Sequence, residues 1–215
     1  MARPSQQLDQ VLLQSGRTLF AAHGCDGLSL RLLCEHAGVN VGMFHYHFRT
    51  KDIFLTQLLQ TMYDDMFMQL QAEAAHAGTP TQRLRQSLCL LGRLLREHGA
   101  WIGRVWSDAN RGEAVARQFM EKNGVRHVQL IIMLVIEAMQ AGEIAPAAPM
   151  HVLSFLMGSV AAPMLIAPRA LEMGFVPASF QEALTNDVLS DQGIADRVNR
   201  ALFALKASKQ EINHV

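Results

Sequence analysis

From Leu8 to Leu205 the apolar residues of this chain recur at spacings of three and four, and nowhere do they alternate as a half-buried strand requires. That period puts hydrophobic side chains on one face of an α-helix. Sustained over 215 residues, it points to an all-α architecture of helices packed on helices. Leu8, Val11, Leu12, Leu19 and Ala22 mark a helix over 6–23 that Gly24 should stop. Ser29 is placed to N-cap a short helix to about Ala37, Gly38 supplies a turn, and Asn40 caps a second short helix over 41–47. Thr50 opens a long helix through Leu70. Thr79 and Pro80 begin another, striped by Leu84, Leu88, Leu91 and Leu95 and expected to end near Gly99. Beyond it, WIGRVWSDANRGE reads as a short helix and a loop. VRHVQLIIMLVIEAMQAGEI reads as a buried helix with Gly142 as its stop. Residues 149–167 read as an uncharged helix kinked at Pro163, SFQE at 179–182 as a capping box, and the stripe from Ile194 to Leu205 as the last helix.

Half of the residues are hydrophobic, so a substantial core can form. Basic and acidic residues balance at 19 each, for a net charge of +0. This argues against a broad polyanion-binding surface while leaving room for a local one. The three cysteines, Cys25, Cys34 and Cys89, form no CxxC pair, and their odd number suits a reducing compartment. With a polar N-terminus that shows no secretory signal, the expected location is the cytoplasm. From Ile144 to Pro168 there is no Asp, Glu, Lys or Arg, a length that could span a bilayer. Pro146, Pro149, Pro163 and Pro168 interrupt it, and a buried helix of a soluble dimer accounts for it better; no membrane partner is expected.

One stretch differs in kind from the rest: AGVNVGMFHYHFRTKD, residues 37–52. Two short helices joined by a tight glycine turn and braced by a longer helix before them make a helix-turn-helix. Phe44 and Phe48, four apart, face inward, which leaves several of Val41, Met43, His45, Tyr46 and His47 to face outward. A metal site is the rival reading. Histidines at i and i+2 of a helix do not share a face, and Cys34 with His36 meet the same obstacle, so no metal and no cofactor are expected. Lys51 at a helix start opposes the helix dipole, a placement that makes sense with an anionic partner outside the chain. Residues 1–51 hold Arg3, Arg17, Arg31, Arg49 and Lys51 against Asp9, Asp26 and Glu35, a modest excess that predicts weak non-specific DNA binding.

LSLRLLCEHAGVNVGMFHYHFRTKD, residues 28–52, resembles the signature of TetR-family transcriptional regulators at Ser29, Leu30, Arg31, Leu33, Glu35, Ala37, Gly38, Val39, Gly42, Tyr46, His47, Phe48 and Lys51. The resemblance covers about residues 8–55. It implies an N-terminal three-helix helix-turn-helix DNA-binding domain (1–52) and a larger helical effector-binding and dimerisation domain (53–215). It also implies a homodimer on an inverted-repeat operator in double-stranded DNA. Carried over position by position, Ser29, Leu30 and Arg31 start the helix that meets the backbone and the groove edge. Val41, Gly42, Met43 and Tyr46 face bases, and His45, His47 and Lys51 lie near phosphates. Three departures stand out. Val41 replaces a residue that is often polar or basic, Met43 replaces a threonine or serine, and His45 replaces the first tyrosine. Base reading then leans on thymine methyl contacts and on Arg31 to a guanine.

For the remainder, the resemblance implies a dimer bundle built from the last two long helices and a small-molecule effector held between the central ones. Gly158, Ser159, Ala161 and Ala162 suit close helix approach. Trp101, Trp106, Phe119, His127, Met133, Met157 and Met164 are pocket candidates, although ordinary core packing is the simpler account of any one of them, and a mainly apolar effector fits them. The expected function is a repressor released by that effector. A helical enzyme using Ser107, Asp108, His127 and His151 is one alternative, but no GxSxG, HExxH or phosphate loop surrounds them. A non-specific architectural DNA-binding protein is the other, and the balanced charge speaks against it.

Overall fold

The computed structural model describes residues 4–207. Among these the elements are α1 Pro4–Gly27, α2 Leu30–Ala37, α3 Val41–Phe48, α4 Lys51–Ala74, α5 Pro80–Asn110, α6 Ala114–Asn123, α7 Arg126–Gln140, α8 Pro149–Glu172, α9 Ala178–Ala183, a π-helical turn Leu184–Leu189, and α10 Asp191–Ala204. The only extended pairing among the described residues is an isolated bridge between Ile144 and Lys206. The chain forms two compact units. The first holds the residues up to Met66 with Ala100–Val125, and the second holds Phe67–Gly99 with the residues from Arg126 onward.

In the first unit, α1 packs on α2 and α3 over a core of Leu12, Phe20, Leu33, Phe44, Phe48 and Phe54. Phe44, Phe48 and Phe54 form an aromatic triangle with ring centroids 5.0–5.6 Å apart, mostly edge-on as ring quadrupoles favour. The backbone does break at Gly24 (φ 66°, ψ −166°), but one more helical turn follows, to Gly27. α6 is fastened to α4: the Tyr63 hydroxyl donates to the Asn123 carbonyl (3.1 Å), and the buried Asn123 amide donates to Gln60 (3.2 Å).

In the second unit α7, α8 and α10 pack together around Leu84, Leu88, Ile131, Val135, Leu156, Val160, Ile194 and Val198. Arg83 pairs with Glu137, and Arg96 bonds both Asp191 (2.8 Å) and the Leu189 carbonyl (2.6 Å).

Three sequence expectations change. α5 does not end near Gly99 but continues to Asn110. Glycine costs only about 1 kcal/mol in a helix interior, and neither Gly99 nor Gly103 leaves the helical region. SFQE makes no capping box: Pro177 stands at the N-cap and no side chain caps α9. α8 runs helically through Pro163 and Pro168 to Glu172, beyond the expected 167. By length and composition α8 could cross a membrane, and 28% of its most apolar window is buried.

Candidate nucleic-acid interface

The helix-turn-helix is specified by its ends. The Ser29 hydroxyl accepts from the Leu32 N–H (3.1 Å) and the Asn40 side chain from the Met43 N–H (2.9 Å), so both short helices begin with a satisfied cap. Between them Gly38 adopts φ 67°, ψ 28°, the left-handed conformation that glycine enters without a Cβ penalty. The Val39 N–H returns to the Cys34 carbonyl (3.0 Å).

α3 then presents two faces. Phe44 and Phe48 are buried, while Val41, Gly42, Met43, His45 and Tyr46 are exposed, Tyr46 at 77%. Such exposure of large apolar side chains on one helix marks a contact surface. On α2, Arg31 is exposed and its Nε bonds the Glu35 carboxylate at 2.7 Å. Ser29 is exposed and Leu30 half-buried. His45 Nδ1 lies 2.9 Å from the Arg49 carbonyl.

Two expected phosphate contacts are placed differently. The His47 side chain is only 5% exposed and its Nδ1 pairs with Asp9 of α1, so it fastens α3 to α1 instead of reaching outward. Its position three residues after Phe44 puts it on the inward face. The Lys51 ammonium donates to the Asp26 carbonyl at 2.8 Å, bracing the start of α4 against the end of α1. Asp9 and Arg49 were not singled out in sequence. Asp9 lies 38 positions before its partner, and no local pattern marks it.

Behind the reading helices sits a buried carboxylate. Asp108, fully buried, accepts from the Cys25 backbone N–H (2.7 Å) and the Arg111 guanidinium, and it forms an ion pair with Arg104, whose Nε lies 3.2 Å away without a hydrogen bond. Arg104 also donates to the His23 carbonyl (2.7 Å). Burial and the neighbouring Asp108 charge push the Cys25 thiol up to about 12. It therefore stays protonated and unreactive at neutral pH. The imagined catalytic group is not assembled: Asp108 is committed to arginines, and the Ser107 hydroxyl accepts from Arg111 (2.7 Å). His151 is exposed on α8.

The pocket candidates are distributed. Trp101, Trp106 and Phe119 belong to the first unit and His127, Met133, Met157 and Met164 to the second. Trp101 and Met164 are buried, Trp106 and Met133 exposed, and Phe119 packs edge-on to Tyr63. Burial holds the His127 imidazole below its ordinary value, so it is neutral near pH 7. The first unit also carries an open cleft of about 500 Å³ between α4 and α6, with Thr56, Gln57, Gln60, Asp64, Gln118 and Lys122 among its walls. Ile53, Ala114 and Val115 also line it, so polar and apolar groups share the walls.

Capped short helices, a left-handed glycine turn and an exposed reading face define a helix-turn-helix DNA-binding domain. Residues 12–58 match the model of bacterial regulatory proteins of the tetR family. It is 28% identical over 83 residues to the HTH-type transcriptional repressor KstR2 of Mycolicibacterium smegmatis, a match covering 39% of this chain and 40% of that protein. It is 25% identical over 152 residues to the HTH-type transcriptional repressor DhaR of Mycobacterium sp. strain GP1, covering 70% and 77%. The match to KstR2 thus spans well under two thirds of that relative's length. The fold is shared with a Saccharomonospora viridis protein solved in complex with choline (TM-score 0.75, 16% identity, 95% of this chain and 100% of that one).

Proposed function

We propose that this protein is a sequence-specific DNA-binding transcriptional regulator that sits as a homodimer on an inverted-repeat operator in the cytoplasm. By default it is a repressor, since steric blocking needs only tight binding, and the relatives named above are repressors. Residues 1–52 are the reading domain and 53–215 the effector-binding and dimerisation domain, the effector being small and mainly apolar. The observation that carries the reading is the exposed face of α3, where Val41, Met43 and Tyr46 stand over a filled aromatic core. A helix so presented fits the major groove, with methyl and aromatic groups against thymine methyls and Arg31 toward a guanine. Selection of duplexes by the full chain from a random pool tests this. The expected product is a two-fold repeat with half-site centres about one helical turn, or a multiple, apart. An unpaired half-site, or no enrichment, would reject it.

Arg31→Ala is expected to cost about 1–3 kcal/mol on the selected duplex and to relax preference at one base position. The side chain is 87% exposed and its only partner among the described residues is Glu35, so little fold stability should be lost. Equal losses on selected and random duplexes would reassign Arg31 to the backbone.

For the dimer, α8 exposes Phe155 and Ile166 and α10 exposes Phe203, and a Cβ at Gly158 would meet nothing within 4 Å. This supports a helical face that a second copy covers. Gly158→Leu is expected to shift the protein toward monomer in sedimentation at micromolar concentration while leaving its helical circular dichroism unchanged. A dimer of unaltered affinity would place the interface elsewhere.

A further inference from the structure

Arg49 is the one non-glycine residue with positive φ among the described residues, at φ 59°, ψ −56°. The Thr50 N–H donates to the Phe48 carbonyl at 2.6 Å. A bond from residue i+2 back to residue i around such dihedrals is the γ-turn form that is rare and strained for L-residues. Glycine would occupy it with less strain. The turn is also fully used: the Arg49 N–H donates to the His45 carbonyl (3.1 Å), its carbonyl faces His45 Nδ1 (2.9 Å), and the Thr50 hydroxyl accepts from the Ile53 N–H (3.2 Å) to cap α4. None of those bonds needs a side chain on residue 49.

Other basic side chains of this domain have partners within the chain. Arg31 is held by Glu35 and Lys51 by the Asp26 carbonyl, and His47 is paired with Asp9. The exposed Arg49 guanidinium makes no hydrogen bond or ion pair among the described residues. Strain at a position where a less demanding residue would serve the fold signals a side chain that does something else.

We infer that Arg49 is a positioning residue that grips a DNA backbone phosphate at the C-terminal end of the recognition helix and so fixes the depth and register of α3 in the groove. This rests on the DNA-binding reading above. A guanidinium suits the task because it stays charged and offers several donors in one plane to phosphate oxygens. Such a contact positions without reading sequence.

The test uses the full chain, a duplex selected by wild type from a random pool, and a random-sequence duplex of equal length. Arg49→Gly removes both strain and charge. It is expected to raise the melting temperature, to weaken both duplexes by a similar factor of roughly ten, and to flatten the salt dependence by about 0.9 logarithmic units per head. Arg49→Lys keeps a cation and is expected to bind within about twofold of wild type at an unchanged melting temperature, as expected for a phosphate contact that a second cation can share. Wild-type affinity and salt slope in Arg49→Gly would overturn the assignment while leaving the regulator reading intact, and so would a lowered melting temperature. A wild-type protein that enriches no duplex would overturn both.

Discussion

Asp108→Ala is expected to destabilise the first unit by about 3 kcal/mol, the lower end of what removing one partner of a buried ion pair costs. At about 2–4 °C per kcal/mol for a chain of this size, the melting temperature should fall by roughly 10 °C. Asp108 is fully buried and ties together two parts of the chain: it accepts from the Cys25 N–H and Arg111 and forms an ion pair with Arg104. Without it the Cys25 N–H has no acceptor and two guanidiniums repel across a small void. The arginine side chains are 28% and 50% exposed, so water recovers part of their solvation, and this sets the lower end of the range. Asp108→Asn keeps an acceptor oxygen for Cys25 and should lose about half as much. A Cβ on Gly24 would lie 2.1 Å from Arg104 Nε and 2.5 Å from Asp108 Oδ2. Gly24→Ala therefore disturbs the same cluster, and the two substitutions should be strongly non-additive in a double-mutant cycle. Thermal and urea unfolding followed by circular dichroism measure all three. Additive losses would mean that the cluster does not act as a unit.

The second large effect belongs to Gly193. A Cβ there would meet the Asp187 carbonyl oxygen at 2.3 Å, its carbon at 2.7 Å and the Val188 nitrogen at 3.1 Å. These are backbone atoms of the π-helical turn, which cannot rotate aside as a side chain would. Gly193 is also where α10 starts: its N–H donates to the Ser190 hydroxyl at 3.0 Å, the N-cap bond. Gly193→Ala must push α10 or the turn away, at a cost of about 3 kcal/mol, the upper part of the usual overpacking range. The control is Gly99→Ala, where the nearest neighbours stand 3.7 Å from the new Cβ. It should stabilise α5 by up to about 1 kcal/mol. Equal and small effects at both positions would show that the π-helical turn yields freely.

The sequence announced the reading helices because their signals are short-range. Ser29, Gly38 and Asn40 act within three residues of themselves, and each performs the expected cap or turn. The length of α5 is hidden because Gly99 has the local look of a helix stop. Gly92 shows why that fails: a Cβ there would lie 2.7 Å from Ile194, so the glycine makes room for α10 inside an unbroken helix. His47 was half legible, since its spacing from Phe44 assigns it inward, but its partner Asp9 depends on how α1 crosses α3. The Asp108 cluster was least legible, because Cys25, Arg104 and Asp108 meet only when the end of α1 and the end of α5 are folded together. The capping box that local pattern favoured at 179–182 is absent because Pro177 stands at the N-cap of α9.

On α3, retention and recognition fall to different side chains. Phe44, His47 and Phe48 hold the helix to its unit, whereas Tyr46 stands largely in solvent and Val41 and Met43 are partly exposed. On the proposed reading, exchanging Tyr46 alters what is recognised at little cost to folding. A gene duplicate of this protein could therefore acquire a new target site through a few surface substitutions, without first acquiring stabilising changes elsewhere.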